Sequence, residues 1–516
     1  MKPKIILIHP PVSKPSEPPA GIAKLAGCLK ANGIDYELID ANLEGILYLL
    51  KNPSRDNVAD DRWTRRALKN LDVNLAAIRD GKTYNDKNNY QRAVTDINHL
   101  LKNAGRCCSV DLSFSDYRDR LLMPVKSIDL LRAAEKPELN PFYPYFSIRL
   151  CDALAHDPEF IGFSLNYLGQ ALTTFAMIGF IKRENPHQKI VLGGSLTTSW
   201  AKITSIDKIF SGLVDNIIAG AGEKKLLELL GVEGGSIGHA PYYDDFALDQ
   251  YLSPVRILPY STARGCYWHS CSFCPEKAED NPFQPQPAEQ SLAEVQTLVS
   301  QINPGLIHFL DSAISPALLN AFTQNPPGAP WYGFTRITHH LTDEDFCRAL
   351  QKSGCVMLKL GIESGDQAVL NKLNKGIDLQ DASRALRAIK KAGIATYVYF
   401  LFGTPPETEK SALATLDFVI EHSDCIDFLN LAIFNLPVLS SESQSLATRS
   451  FYDGDLSLYR DFDHPLGWQR ADVRKFLERT FKRHPAVAEI LQRTPEFFTS
   501  NHAPFLGDPQ EKVNSI

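Results

Sequence analysis

Short unbroken apolar runs, each followed by a stretch of helical spacing, recur in two cycles along this chain, and that alternation constrains its fold more than any other feature. Residues 4–8, Lys-Ile-Ile-Leu-Ile, read as a parallel strand covered on both faces. Prolines crowd the stretch from Pro3 to Pro19 and forbid helix there. Apolar residues then return at helical spacing over 21–32 and stop at Gly33, and residues 36–39 read as a second strand. The pattern resumes with strands at 160–165, 189–194 and 216–220 and helices at 170–182 and 224–230. Strands linked by helical crossovers predict an α/β fold with a doubly wound, Rossmann-like parallel sheet built from residues 1–50 and 141–235. Residues 51–140 interrupt it. They are polar, and their clearest periodicity, over 90–101, is helical, which predicts a helical insertion; a surface excursion without chemistry is the other reading.

A second cycle follows a linker at 236–254. Candidate strands lie at 257–261, 306–311, 331–337, 356–364, 395–403 and 427–435. Ser291 with Glu294 has the spacing of a capping box, Thr342 precedes an acidic first turn, and Gly354 and Gly393 sit where helices should stop. These units predict a partial (β/α)6 barrel over 255–440, with its reactive face at the C-terminal ends of the strands. The extension 441–516 holds one good helical stretch, 470–482, and then aromatic-rich irregular sequence.

Ten cysteines in 516 residues are too sparse for a disulfide scaffold. The apolar run after Met1-Lys-Pro-Lys4 is too short for a secretion signal, and no run approaches the roughly 18 residues a membrane span needs, so a cytoplasmic protein is expected. A net charge of −6 without long blocks of one sign disfavours nucleic acid as a partner. Cys28, Cys107, Cys108, Cys151, Cys347, Cys355 and Cys425 are scattered and read as small core residues. Cys266, Cys271 and Cys274 are different: gaps of four and two residues let one loop wrap one metal centre, and thiolates select zinc or iron–sulfur. A structural zinc site wants four closed ligands, yet only His269 is near and no second cysteine pair follows. A cubane cluster on three cysteines leaves one iron open to a substrate or cofactor. A zinc-filled, non-catalytic metal-binding module is the rival reading.

With these residues in view, the chain resembles the radical S-adenosylmethionine enzymes, and among them the subclass with an N-terminal cobalamin-binding domain. The resemblance spans residues 1 to about 50 and 150–440, although the first cysteine gap is longer than the family's usual three. It implies that Cys266, Cys271 and Cys274 hold a [4Fe-4S] cluster and that Phe273 is the aromatic residue commonly preceding the last cysteine. It further implies S-adenosylmethionine contacts from several strand ends. Asp311 and Ser312 fall where the family meets the methionyl amine, with a helix N-cap pair as the alternative. Arg336 corresponds to a partner for the methionyl carboxylate, or else forms a salt bridge within the barrel. Glu363 and Ser364 match a strand end that binds ribose or methionyl groups, and the cost of burying an unpaired carboxylate favours function over packing. Gly403 lies near the adenine, where it lets backbone approach a planar ligand. In the first domain, Pro10, Ser164, Leu165, Gly193, Gly194, Ser195, Gly220, Gly222 and Glu223 occupy loops past strand ends, where cobalamin would lie. The Asp-x-His-x-x-Gly signature for a lower cobalt ligand is missing.

The activity so implied is formation of a 5′-deoxyadenosyl radical with an electron from a donor such as flavodoxin or ferredoxin, and methylation of an unactivated carbon of an unknown small-molecule or peptide substrate. Cyclisation or rearrangement, with the first domain a cobalamin-free scaffold, is the alternative. Aromatic residues of the extension, among them Phe451, Tyr452, Tyr459 and Trp468, together with residues 500–503, are expected to cover the barrel mouth or simply to pack.

Overall fold

The computed structural model describes residues 3–53, 61–495, 497 and 502–506. The chain forms two compact units, one of Met1–Pro254 with Tyr452–Leu458 and one of Val255–Phe451 with Tyr459–Ile516. No described helix is long and apolar enough to cross a membrane.

In the first unit, β1 (Ile5–His9), β2 (Tyr36–Asp40), β3 (Phe160–Ser164), β4 (Lys189–Gly193) and β5 (Asn216–Ile217) form an all-parallel sheet in the order β2-β1-β3-β4-β5. β1 and β3 are buried along their whole length, the physical reason their apolar runs are unbroken. One face packs Ile5, Leu7, Phe160 and Val191 against Cys28 and Leu29 of the helix Ala20–Ala31 and Leu226 and Leu227 of the helix Gly222–Leu229. Strand order reverses between β1 and β3, so their outgoing loops diverge and open a crevice at the carboxyl edge. Residues 236–254 lie against this unit: the Tyr242 amide donates to the Ala23 carbonyl (2.9 Å), and the Tyr251 hydroxyl donates to Asp40 (2.6 Å).

The insertion is helical, with Arg62–Lys69, Leu71–Arg79, Lys87–Gly105 and Ser127–Glu135, but it also contains an antiparallel hairpin of Val110–Leu112 with Tyr117–Asp119. It has a packed interior, with Tyr90, Val94, Ile97 and Leu101 buried. The helix Leu168–Glu184 carries Gly179 against the backbone of Ala134, where an added Cβ would stand 1.9 Å from the carbonyl oxygen.

In the second unit, β6 (Ile257–Tyr260), β7 (Leu306–Ile314), β8 (Trp331–Thr335), β9 (Cys355–Glu363), β10 (Ala395–Phe402) and β11 (Phe428–Ile433) pair parallel in sequential order, leaving β6 and β11 as edges. Phe309 and Trp331 point outward under the helix Pro316–Gln324, which turns His308, Leu310 and Ser312 into the concave lumen. Ile257, Leu306, Tyr332, Met357, Tyr397 and Phe428, near the strand starts, form an apolar floor.

Local signals and tertiary structure part at several places, and Cys107 and Cys151, read as core residues, are exposed. Ser291 lies inside the helix Ala288–Ile302, one turn beyond its N-cap Pro287, and Glu294 is drawn instead to the Tyr260 hydroxyl (2.8 Å) and Gln286 (2.6 Å). The cap of Glu344–Lys352 is Asp343, whose carboxylate takes the Asp345 amide, not Thr342. Ala503 joins the floor cluster and so closes the barrel opposite its mouth, while Ser500 and Asn501 lie outside the described residues. Gly354 and Gly393 do end helices in the left-handed conformation. The extension adds a small antiparallel sheet of Leu436–Pro437, Thr448–Ser450 and Tyr459–Phe462.

Replacing Gly179 by alanine forces a methyl group into the Ala134 carbonyl, and a cost of roughly 1–3 kcal/mol is expected from such overpacking. A lowered urea midpoint of the Gly179→Ala protein, read by circular dichroism, checks this.

Candidate functional site

The chain leaves β6 through a narrow neck. The Gln286 amide donates to the Thr262 carbonyl (2.9 Å), and Ala263–Arg264 pair antiparallel with Gln284–Pro285, so residues 265–283 form a loop pinched at its base. Asp311 anchors that base from β7: its buried carboxylate accepts the Thr262 amide (3.1 Å) and hydroxyl (2.6 Å). Burial pushes the Asp311 carboxyl up, and the Thr262 bonds pull it back. Asp311 and Ser312 lie within β7 and make no N-cap; the cap of the next helix is Ser315. Ser312 is exposed at the lumen face.

All three loop cysteines lie between these clamped ends. Cys271 is buried, Cys266 and Cys274 half-buried. The Cys274 amide donates to the Cys271 carbonyl (3.3 Å), and Cys274 caps the short helix Pro275–Ala278. Burial pushes the Cys271 thiol up while Lys375 and Arg336 pull it down; burial pushes Cys274 up against the Glu276 and Lys277 amides. The loop is also tied to the turn after the helix Gln367–Lys372: the Ser272 amide donates to Leu373 (3.0 Å) and the Trp268 indole to Asn374 (2.9 Å). Gly376 admits the indole, since an added Cβ would stand 2.1 Å from its ring.

The expected residues lie at strand ends, and of these Arg336 touches the loop directly and Glu363 through Lys375, whereas Ser364 and Gly403 make their contacts elsewhere. Arg336, directly after β8, is 7% exposed. It donates to the Lys375 carbonyl, approaches the Cys271 sulfur at 3.9 Å and stacks 4.3 Å from the Trp268 ring centroid. Phe273 lies under the Lys375 ammonium, 5.6 Å from the ring centroid. Glu363 ends β9 with φ 73° and pairs with Lys375 at 2.8 Å, so its carboxylate is not unpaired. A non-glycine residue held at such a φ costs of order 1 kcal/mol and clusters at functional sites. Ser364 is buried, with its hydroxyl accepting from the Asp366 amide (3.1 Å). Gly403 ends β10 at φ 78° and donates its amide to Glu407.

Trp268, Thr262, Lys375 and Glu407 escape a sequence reading. Lys375 sits in an Asn-Lys-Gly turn, where a lysine reads as solvated, and only the approach of distant segments gives it a role. Deeper in the lumen, Lys359 is 4% exposed, with its ammonium 3.3 Å from His308 Nε2 and 4.2 Å from the Phe334 centroid.

Among the described residues no three His, Cys, Asp or Glu side chains stand close enough to share one metal ion, His269 included. Three thiols on one loop, one with cations beside it, fit a larger iron–sulfur body.

In the first unit, the Asn166 side chain accepts the Ser195 amide (3.0 Å), and the Leu165 amide donates to the Gly193 carbonyl (2.8 Å). Gly194, at φ 105°, passes so close to Leu165 that a Cβ would stand 2.3 Å from its carbonyl oxygen. Pro10 accepts from Gln170 (2.7 Å), Ser164, Leu165 and Glu223 are buried, and nothing stands within 4 Å of where a Gly220 Cβ would be. Gly222 opens the helix Gly222–Leu229. At the crevice, burial drives His9 down to about 4, and its Nδ1 has no partner among the described residues. An open cleft of about 540 Å³ beyond β5 is lined by Lys202, Thr204, Ser205, Ile217, Ala219 and Lys225. An orphaned ring nitrogen and bare glycine backbone at the carboxyl edge fit a large polar cofactor.

The end of β10 is clasped by the extension. Glu407, 1% exposed, accepts from Gly403 and the Trp468 indole (3.1 Å), and its Oε1 has no partner among the described residues. His464 donates from Nε2 to the Thr404 carbonyl (2.8 Å) and accepts the Leu466 and Trp468 amides at Nδ1. Burial pushes Glu407 up to about 8.

Residues 260–419 match the radical SAM superfamily. An uncharacterized methyltransferase of Pyrococcus horikoshii is 25% identical over 319 residues, 52% of this chain and 69% of that protein. The anaerobic magnesium-protoporphyrin IX monomethyl ester cyclase of Rubrivivax gelatinosus is 27% identical over 164 residues, 30% of this chain and 29% of that protein. The radical S-adenosylmethionine methyltransferase TsrM of Kitasatospora setae, solved with cobalamin and a [4Fe-4S] cluster bound, superposes with TM-score 0.54 at 15% identity, over 88% of this chain and 78% of that one. At that identity the likeness is one of fold.

Folded Glu407 keeps its proton up to about pH 8, whereas an unfolded glutamate releases it near 4.5. The clasp's contribution is therefore complete below the unfolded value and is lost as pH rises through the folded one. The thermal midpoint of the second unit is expected to fall as pH rises between about pH 4.5 and about pH 8, and Glu407→Gln, read by calorimetry, to flatten that slope.

Proposed function

We propose that this chain, which carries a radical SAM domain across residues 260–419, binds a [4Fe-4S] cluster through Cys266, Cys271 and Cys274, binds S-adenosylmethionine at the carboxyl ends of β7 to β10, and methylates an unactivated carbon of its substrate with cobalamin as carrier. The observation that carries the reading is the clamped three-thiol loop at the end of the first of six sequential parallel strands, with Asp311 at its base and Arg336 and the Glu363–Lys375 pair beside it.

When bound, the cluster supplies the electron that breaks a carbon–sulfur bond of S-adenosylmethionine to give a 5′-deoxyadenosyl radical, and cobalamin supplies the methyl group. The chain's own residues provide position and dryness. Asp311 and Thr262 fix the base of the cysteine loop, and Trp268 locks it to the turn that carries Lys375. Lys375 holds the Glu363 carboxylate at the strand end, where it accepts hydroxyl or ammonium donors of the nucleoside or methionyl part. Gly403 offers bare backbone to the adenine. Leu310 and Phe334 line the lumen and exclude water and stray hydrogen donors, which a carbon radical requires; Leu310 is 39% exposed although it faces inward. In the first unit, Pro10, Ser164, Leu165, Gly193, Gly194, Ser195, Gly220, Gly222 and Glu223 would hold the cobalamin. The methyltransferase relative and the shared fold with a cobalamin-bound methyltransferase support this assignment. Similarity to the anaerobic cyclase favours a second reading, radical ring formation without net methyl transfer.

Anaerobically reconstituted protein given S-adenosylmethionine and dithionite is expected to release 5′-deoxyadenosine, and Cys271→Ala to abolish it. One tightly held zinc per chain, with no iron or sulfide, would defeat the assignment. Protein supplied with hydroxocobalamin is expected to retain corrin absorbance after gel filtration, in Cys271→Ala as in the wild type; its loss from both leaves the cyclisation reading.

A further inference from the structure

We infer that Arg336 is a positioning residue for the iron–sulfur cluster and not a clamp for the methionyl carboxylate: its guanidinium donates to the Cys271 sulfur and raises the cluster's reduction potential. The inference rests on the cluster reading above.

A guanidinium only 7% exposed cannot rely on water to solvate its charge. Desolvating a cation costs several kcal/mol unless an anion or dipoles compensate. Arg336 has no carboxylate within ion-pair distance among the described residues; its contacts are the Lys375 carbonyl, the Trp268 face and the Cys271 sulfur. The neighbouring cation, Lys375, is already matched by Glu363 at 2.8 Å. Deprotonation of Cys271 and assembly of the cluster bring negative charge to the sulfur that Arg336 already faces. Nη1 stands 3.9 Å from that sulfur, a separation that thiol hydrogen bonds span. Two further bonds hold it on target: Nη2 is anchored on Lys375, and that turn is itself pinned by the Trp268 indole on Asn374. A guanidinium so fixed is unsuited to swing toward a diffusing ligand. It is well placed to stabilise added negative charge, and hydrogen bonds to cluster sulfurs are among the determinants of cluster potential. One electron entering the cluster is then partly neutralised by a cation already in place.

Reconstituted wild type and Arg336→Gln would be titrated with dithionite under electron paramagnetic resonance, without S-adenosylmethionine. The reduced fraction of Arg336→Gln at a fixed poise is expected to be about tenfold lower, which is about 59 mV for a one-electron couple. Arg336→Lys, which keeps the charge but loses the fork, should fall between. An unchanged midpoint overturns the inference, and an unchanged midpoint with a lost spectral response to S-adenosylmethionine assigns Arg336 to the ligand carboxylate. If Arg336→Gln holds no cluster, wild type grown with 15N-guanidino arginine decides: pulsed resonance should detect one coupled guanidinium nitrogen, and its absence overturns the inference. A wild type that assembles no cluster overturns the reading beneath it, a result distinct from all of these.

Discussion

The bond pair between Asp311 and Thr262 links the second barrel strand to the neck of the cysteine loop, and the site is built outward from it. A buried carboxylate is tolerated there only because an amide and a hydroxyl meet it, so the loop base cannot shift without exposing an expensive charge. From that fixed base the loop reaches a second set of anchors at Leu373 and Asn374. Three thiols are thus held by strand, turn and indole, although the loop has almost no regular structure of its own.

Charge is handled consistently around this centre. Lys375 and Glu363 neutralise one another in a half-closed setting, where each partner keeps the other from the penalty of burial. Arg336 is held with no carboxylate partner among the described residues, against the Cys271 sulfur and the Lys375 carbonyl. Lys359 lies lower in the lumen against aromatic faces and an imidazole. Polar groups are therefore graded along the lumen from floor to mouth, with apolar Leu310 and Phe334 between.

Much of this was legible in the residues alone because buried parallel strands are written as unbroken apolar runs, and because three cysteines in nine positions admit few structures. The strand ends could be found for the same reason, and with them Arg336, Glu363 and Gly403. What stayed hidden depends on long-range approach. Asp311 meets Thr262 across 49 positions and Arg336 meets Cys271 across 65, and no local pattern encodes either. The Ser291 and Glu294 pair failed because Glu294 gains more from the Tyr260 hydroxyl than from a helix start. The hairpin in the insertion has strands of three residues, too short for alternation to register.

The segment Tyr452–Leu458 belongs to the first unit although it follows Val255–Phe451 of the second in sequence. There Leu456 donates its amide to Val125 (2.9 Å) and accepts the Trp200 indole (3.1 Å), and Asp455 accepts the Ser127 amide (2.8 Å). On a ribosome, which releases the chain from its start at about 5–20 residues per second, the earlier module must therefore wait, with a tryptophan donor unanswered, until residues 452–458 have been translated. The half synthesised first is thus completed only after most of the second has emerged, and severing the gene after Pro254 would leave the first fragment without these bonds.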